Sequence, residues 1–200
     1  MRQAGLDVSD LPPLAFGPRT TIWWGVLGLL AIEGTMFAIL LATYFYLRQN
    51  FSAWPPPGTP PPDLLAGSAN MTLLLVSLWP MRIAHRAGLE ERRRPAWIAL
   101  AICVVIGVAS IALRAFEFKA THCRWYTHAY GSVLWTTLGM HLGHLISSTL
   151  ENVLLFLLML RGPIERKHFV DANVNAIYWY FVVIAWLPIY AVLYFAPRVL

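Results

Sequence analysis

Charge is scarce in this chain. Asp, Glu, Lys and Arg together make up 12% of its 200 residues, about half the share of an ordinary soluble domain. With 58% of the residues hydrophobic, there is too little polar surface to clothe a water-exposed fold. An integral membrane protein is expected instead. Cysteine is scarce too: Cys103 sits in an apolar run and Cys123 in a polar loop, which excludes a disulfide scaffold and a zinc site. The chain also lacks a Gly-rich phosphate loop, a Cys-x-x-Cys cluster and any arrangement resembling a nucleophile triad. No internal repeat divides it, so residues 1–200 are read as one transmembrane domain. The formal net charge of +5 does not point to nucleic acid. Its basic residues flank apolar runs rather than forming a patch interleaved with aromatics. The first twenty residues carry Arg2, Asp7, Asp10 and three prolines. They lack the compact apolar core of a signal peptide and are read as a retained polar tail.

What the chain does have is long apolar runs. A spanning helix needs about 20 mostly apolar residues. Five runs qualify: Thr21–Tyr46, Leu64–Ile83 with Pro80 near its end as a kink, Ala96–Phe118, Tyr130–Leu160, and Ala172–Phe195. The predicted fold is therefore all-α, a polytopic bundle of five transmembrane helices. The loop "SAWPPPGTPPPD" (52–63) is too rich in proline for a helix and is read as a stiff extended connector. The loop "RIAHRAGLEERRR" (82–94) holds five arginines. Placing the N-terminal tail with the second and fourth loops collects ten Lys and Arg on one side and leaves five on the other. The positive-inside rule then predicts a cytoplasmic N-terminus and a C-terminus outside. Trp23, Trp24 and Trp97 near one interface, with Trp54, Trp125, Tyr126 and Tyr194 near the other, fit an aromatic belt.

Chemistry within the spans is sparse, so each polar residue there carries weight. Glu33 lies near the middle of the first run, "GVLGLLAIEGTMFAILLATYFY". A charge at mid-bilayer costs about 2.5–3.5 kcal/mol on insertion scales. Protonated or not, Glu33 is expected to face the other helices and find a partner there. It reads either as a proton-relay carboxyl or as a hydrogen bond that fixes packing. On the fourth helix Thr137, His141, His144, Ser148 and Glu151 are spaced 4, 3, 4 and 3, which reads as one polar seam. His141 and His144 could ligate haem or a metal, or could be a packed hydrogen-bonding pair. A di-iron bundle would need Glu-x-x-His motifs on two helices, and these are missing. Asn70 and Ser77 share a face of the second helix, with His85 at its inner end. Arg114 and Glu117 have the i,i+3 spacing of an ion pair.

These motifs, in order, resemble subunit III of the haem–copper oxidases of the cytochrome c oxidase type. "WWGVLGLLAIEGTMFAILLATYFYLR" resembles that family's helix with a membrane-embedded glutamate, and Glu33 falls on it. "NMTLLLVSLWPMRIAHRA" resembles the next helix, whose Ala-His end falls on His85. "FEFKATHCRWYTHAYGSVLWTTLGMHLGHL" resembles the segment with a glutamate, a Tyr-Gly-Ser turn and two histidines. Glu117, Tyr130, Gly131, Ser132, His141 and His144 fall on those positions. "NAIYWYFVVIAWLPIY" resembles the last helix, with departures. The family's His and Asp positions there are Tyr180 and Val183, and Gly143 stands directly before His144. Larger members have two further N-terminal helices, and this chain looks like the five-helix form.

The resemblance implies an accessory subunit without redox centres of its own. Haem and copper would lie in partner subunits I and II, and phospholipids would be further partners. The implied role is support of assembly, lipid binding, proton uptake and the stability of subunit I, in the inner (cytoplasmic) membrane. On this reading no catalytic, cofactor or metal residue is expected in the chain. The buried polar, proton-related residues would be Glu33, Glu117, His141 and His144, and the lipid or interface contacts His85, Arg114, Trp179 and Tyr180. His141, His144, Glu117 and His85 are expected to form one network around Glu33 or to meet lipid headgroups. Two other readings stay open: a subunit III-like accessory protein of a nitric oxide reductase, and a small proton-coupled transporter.

Overall fold

The computed structural model describes residues 20–199. The polar-tail reading concerns residues outside that range. Five long helices follow one another: α1 (Thr21–Gln49), α2 (Leu64–Leu89), α3 (Arg93–Lys119), α4 (Ala129–Arg161) and α5 (Arg166–Tyr190). A π-helical turn, Ala191–Phe195, and a short α6 (Ala196–Val199) continue α5. All five long helices are apolar and long enough to cross a membrane, so the chain is a multi-pass membrane protein.

Each helix extends past its apolar run. The hydropathy signal stops where lipid stops, while backbone hydrogen bonding continues into the interface. α2 passes through Pro80 and on to Leu89, beyond the expected end at Ile83. α5 begins at Arg166, six residues before the expected Ala172, where Asp171, Asn173 and Asn175 interrupt the hydropathy without interrupting the helix.

Helices α2, α3, α4 and α5 form a closed ring, with α2 against α3 and α5, and α4 against α3 and α5. α1 leans on the outside of α4 and α5. Only Val26, Phe37 and Tyr44 of α1 are buried, so most of its surface faces outward. Lipid offers no hydrophobic drive between helices, and close packing needs small residues at the seams. A Cβ on Gly107 would sit 2.5 Å from Thr149 Oγ1 across the α3–α4 seam, and one on Gly67 would sit 2.5 Å from the Tyr194 ring. Overpacking of this kind costs about 1–3 kcal/mol. Gly107→Val is therefore expected to lower the unfolding midpoint in detergent, while Gly25→Ala, whose Cβ meets nothing within 4 Å, leaves it unchanged. Equal midpoints for the two variants would contradict this packing.

Side-chain bonds fasten the ring further. Arg93 at the start of α3 donates through Nε to Met159 O, 2.6 Å away, at the end of α4. Asn175 donates to Asn152 at 2.8 Å between α5 and α4. Trp179 donates through Nε1 to Ser77 Oγ at 2.8 Å. Trp179 and Arg114 are fully buried within the bundle. That corrects the expectation that they meet lipid or a partner: Trp179 donates to Ser77 of α2, and Arg114 bonds Glu117 on its own helix and His141 of α4. Cys103 and Cys123 are free thiols. Partial burial in the α3–α4 loop raises the Cys123 thiol above its ordinary range.

Candidate functional site

The polar seam expected on α4 is two seams. At 100° per residue, the positions of Thr137, His141, His144, Ser148 and Glu151 fall at about 0°, +40°, −20°, +20° and −40° around the helix. Thr137, His141 and Ser148 are buried, whereas His144 is half-buried and Glu151 exposed. The two histidines thus look toward different neighbours. Phe37 of α1 fills the space by them, its ring centroid 6.3 Å from that of His141 and 4.9 Å from that of His144.

The first cluster is fully buried and ties the ring together. Arg114 donates through Nη1 to Glu117 Oε2 at 2.6 Å, one turn along α3, and both side chains are 0% exposed. Arg114 Nη2 lies 3.1 Å from His141 Nδ1. His141 Nε2 lies 3.0 Å from Val182 O. A carbonyl can only accept, so Nε2 carries the hydrogen and Nδ1 accepts from the guanidinium. Both ring nitrogens of His141 are thereby engaged. Glu117 also receives Asn70 Nδ2 on Oε1 at 2.6 Å and the Tyr194 hydroxyl on Oε2 at 2.7 Å. The Trp186 ring covers the guanidinium at 3.7 Å. Carboxylate and guanidinium compensate each other's charge, and donors from α2, α3 and the π turn close the carboxylate. The π turn has a role in this arrangement. Pro188 removes one N–H from the α5 ladder, and Tyr194, which meets Glu117, lies in the π turn that follows it.

The second cluster surrounds Glu33 and is partly open. Glu33 Oε1 accepts from the Tyr178 hydroxyl at 3.3 Å. Its Oε2 lies 3.6 Å from His144 Nε2. His144 Nδ1 lies 2.7 Å from Met140 O, and that carbonyl fixes the hydrogen on Nδ1. A neutral His144 then turns its Nε2 lone pair toward Glu33. At this separation Glu33 Oε2 makes no hydrogen bond to it. A groove of about 340 Å³ adjoins the pair, lined by Gly139, Gly143, His144, Ser147 and Tyr178.

The expected single network around Glu33 is therefore corrected. Of the four supporting residues named from the sequence, only His144 reaches it. His141 and Glu117 belong to the Arg114 cluster behind Phe37. His85 lies on α2 beside Tyr180, whose hydroxyl is 3.5 Å from His85 Nδ1. Tyr178 and Trp186 were missed in the sequence, and Tyr194, read there as part of an interfacial aromatic belt, is instead buried against Glu117. Tyr178 stands two residues from Tyr180, in a run where aromatics are too common to single one out. Among the described residues no group of three or more His, Cys, Asp and Glu side chains is arranged to hold a metal ion.

The family model of cytochrome c oxidase subunit III matches residues 19–197. The chain belongs to the cytochrome c oxidase subunit III family. Cytochrome c oxidase subunit 3 of Homo sapiens is 29% identical over 199 residues, covering 96% of this chain and 75% of the relative. That of Loxodonta africana is 30% identical over 144 residues, 72% of this chain and 55% of the relative. That of Myxine glutinosa is 29% identical over 142 residues, 70% of this chain and 54% of the relative. The chain thus spans about half the length of several relatives it matches. Both polar clusters lie inside the matched range of the subunit III family.

Proposed function

We propose that this chain is an accessory subunit III of a haem–copper terminal oxidase of the cytochrome c oxidase type. It packs beside subunits I and II, which hold the haem and copper, and bears no redox centre itself. It resides in the inner (cytoplasmic) membrane with its N-terminus cytoplasmic, as the distribution of arginines favours. The observation that carries this reading is the family match over residues 19–197. The outward-facing surface of α1 supports it by leaving room for other subunits and phospholipid. Pull-down of the tagged chain from native membranes tests it. Subunits bearing haem and copper are expected to co-elute at fixed stoichiometry and to reduce oxygen. Co-elution with a complex that reduces nitric oxide, or elution without a haem protein, would overturn it.

Within that complex Glu33 and His144 act as a proton-holding pair that supports proton uptake rather than oxygen chemistry. Tyr178 positions the carboxyl, and Glu117 and His141 hold the bundle behind it. Glu33→Gln gives the carboxyl's place to an amide whose N–H can donate to His144 Nε2. This variant is expected to assemble at wild-type yield and to lose one carboxyl band in the infrared difference spectrum of the complex. Failure of Glu33→Gln to assemble would make the residue a packing device and sink the proton role.

A further inference from the structure

The connector between α1 and α2, residues 52–63, carries six prolines. Proline has no backbone N–H to donate, so side chains must fasten such a segment. At its start the Trp54 ring stands edge-on to Tyr44 of α1 and Tyr130 of α4, at 5.5 and 5.1 Å between centroids. At its end Arg198 donates through Nη2 to Pro62 O at 2.6 Å. Neither contact uses a group that titrates near neutral pH. Between them the chain turns, with Thr59 N donating to Pro56 O at 3.0 Å and Gly58 at φ +85°. The tip of this turn meets His128, whose Nε2 lies 3.2 Å from Thr59 Oγ1. The other ring nitrogen of His128 caps α4. Gly131 N–H donates to His128 Nδ1 at 2.9 Å, the part that Ser, Thr, Asp or Asn usually plays at a helix start. A backbone N–H can only donate, so Nδ1 carries no hydrogen. The hydrogen of the neutral ring is then on Nε2 and points to Thr59 Oγ1. One neutral imidazole thus holds two segments.

A second proton has to enter at Nδ1, opposite the Gly131 N–H. Two donors then face each other at 2.9 Å, and a positive charge sits at the positive end of the helix dipole. The neighbours do not compensate it. On α4 the nearest ring is that of Tyr130, 6.1 Å away between centroids, with Tyr44 of α1 behind it. The loop before α4 brings Arg124, itself cationic and bonded to Tyr126. The connector brings Asp63, which lies 3.6 Å from His122. From α6 comes Arg198, held on Pro62. Among the described residues no carboxylate pairs with His128. The protonated ring therefore leaves the cap, and leaving it takes Nε2 away from Thr59. Acid acts in the opposite sense on His122, which gains an ion pair with Asp63. Both of those side chains are largely exposed, where such a pair contributes little.

We propose that His128 is an acid-released latch: neutral, it caps α4 and holds the tip of the connector through Thr59; protonated, it lets go of both. Trp54 and Arg198 keep the two ends of the connector in place, so the release is confined to the tip and to the first turn of α4. With the N-terminus cytoplasmic, this end of the bundle faces outside, and the latch answers to the pH of the outer compartment. It is a property of this chain alone and can fail while the oxidase reading stands.

The test is hydrogen exchange of the purified full chain in detergent, read by mass spectrometry at about pH 7.5 and about pH 5, on either side of the histidine range. Protection is taken relative to the intrinsic exchange rate at each pH. On acidification the amides of residues 131–133, and those of Gly58 and Thr59, are expected to lose protection about tenfold, the scale of a lost helix cap. Those of residues 74–78, in the middle of α2, stay unchanged. His128→Asn keeps a capping acceptor without a ring that titrates, so its α4 amides remain protected at both pH values. Thr59→Val frees the tip at both pH values and leaves the fall at residues 131–133 intact. His122→Asn, a residue type that tolerates the positive φ at that position, leaves both falls in place. Full protection of the wild-type chain at the lower pH would overturn the latch. So would an equal fall in His128→Asn, or the disappearance of the fall in His122→Asn, which would assign the proton to the other histidine.

Discussion

Glu117→Gln is expected to destabilise the bundle by about 3–5 kcal/mol, the cost of leaving one partner of a buried ion pair uncompensated. In the native chain Glu117 receives hydrogen bonds from Arg114, Asn70 and Tyr194. Glutamine keeps one acceptor oxygen and brings N–H groups into a place already filled with donors. Asn70 can turn its amide, since its Oδ1 lacks a partner, and accept one of them. No such adjustment neutralises Arg114, which is 0% exposed. Removing the charge from both residues, as Arg114→Gln with Glu117→Gln, is expected to recover part of the loss, because no uncompensated buried charge then remains. Denaturant unfolding in detergent, followed by circular dichroism, measures both. Additive losses in the double variant would show that the two residues are not coupled and would contradict the geometry.

The Arg114–Glu117 pair was legible from the i,i+3 spacing, because one helix fixes that distance. Its surroundings were not, because they depend on how four helices are rotated against one another. The α4 residues show the limit clearly. A spacing of 4, 3, 4 and 3 reads as one face, yet His141 and His144 are about 60° apart around the axis. That rotation sends His141 to Arg114 and leaves His144 for Glu33. The sequence named both histidines and could not divide them. Nor could it foresee Tyr194 at Glu117, since Tyr194 sits in a π turn, Ala191–Phe195, whose register hydropathy does not signal. The five spans were legible because hydropathy answers to the bilayer directly. Their ends were not, since helices run on past lipid for as long as the backbone can bond to itself.

Glu33 was visible as an anomaly, a carboxyl in an apolar run. The seam gave it a helix to face, and His144 is on that helix. The family's His and Asp positions on the last helix are occupied by Tyr180 and Val183 here. The polar contact from α5 instead comes from Tyr178, 3.3 Å from Glu33.

Trp186→Ala is the second change expected to have a large effect, about 3–5 kcal/mol. Trp186 is 0% exposed and touches most of the buried cluster. Its ring covers the Arg114 guanidinium at 3.7 Å and stacks near His141 at 4.7 Å between centroids. A desolvated cation over an aromatic face is stabilised by about 2 kcal/mol or more, in addition to the cavity that alanine would leave. A graded series separates the two contributions. Trp186→Phe keeps an aromatic face and discards Nε1, which has no hydrogen-bond partner, so its loss is expected to be the smallest. Trp186→Leu fills much of the volume without a π face, so it should fall between Phe and Ala and should be milder when Arg114 is also replaced by Gln. If Leu and Phe unfold at the same denaturant concentration, the ring acts by volume alone and the cation–π contact adds nothing. A Leu variant markedly weaker than Phe, with the gap closed by Arg114→Gln, assigns the difference to the guanidinium that the ring covers.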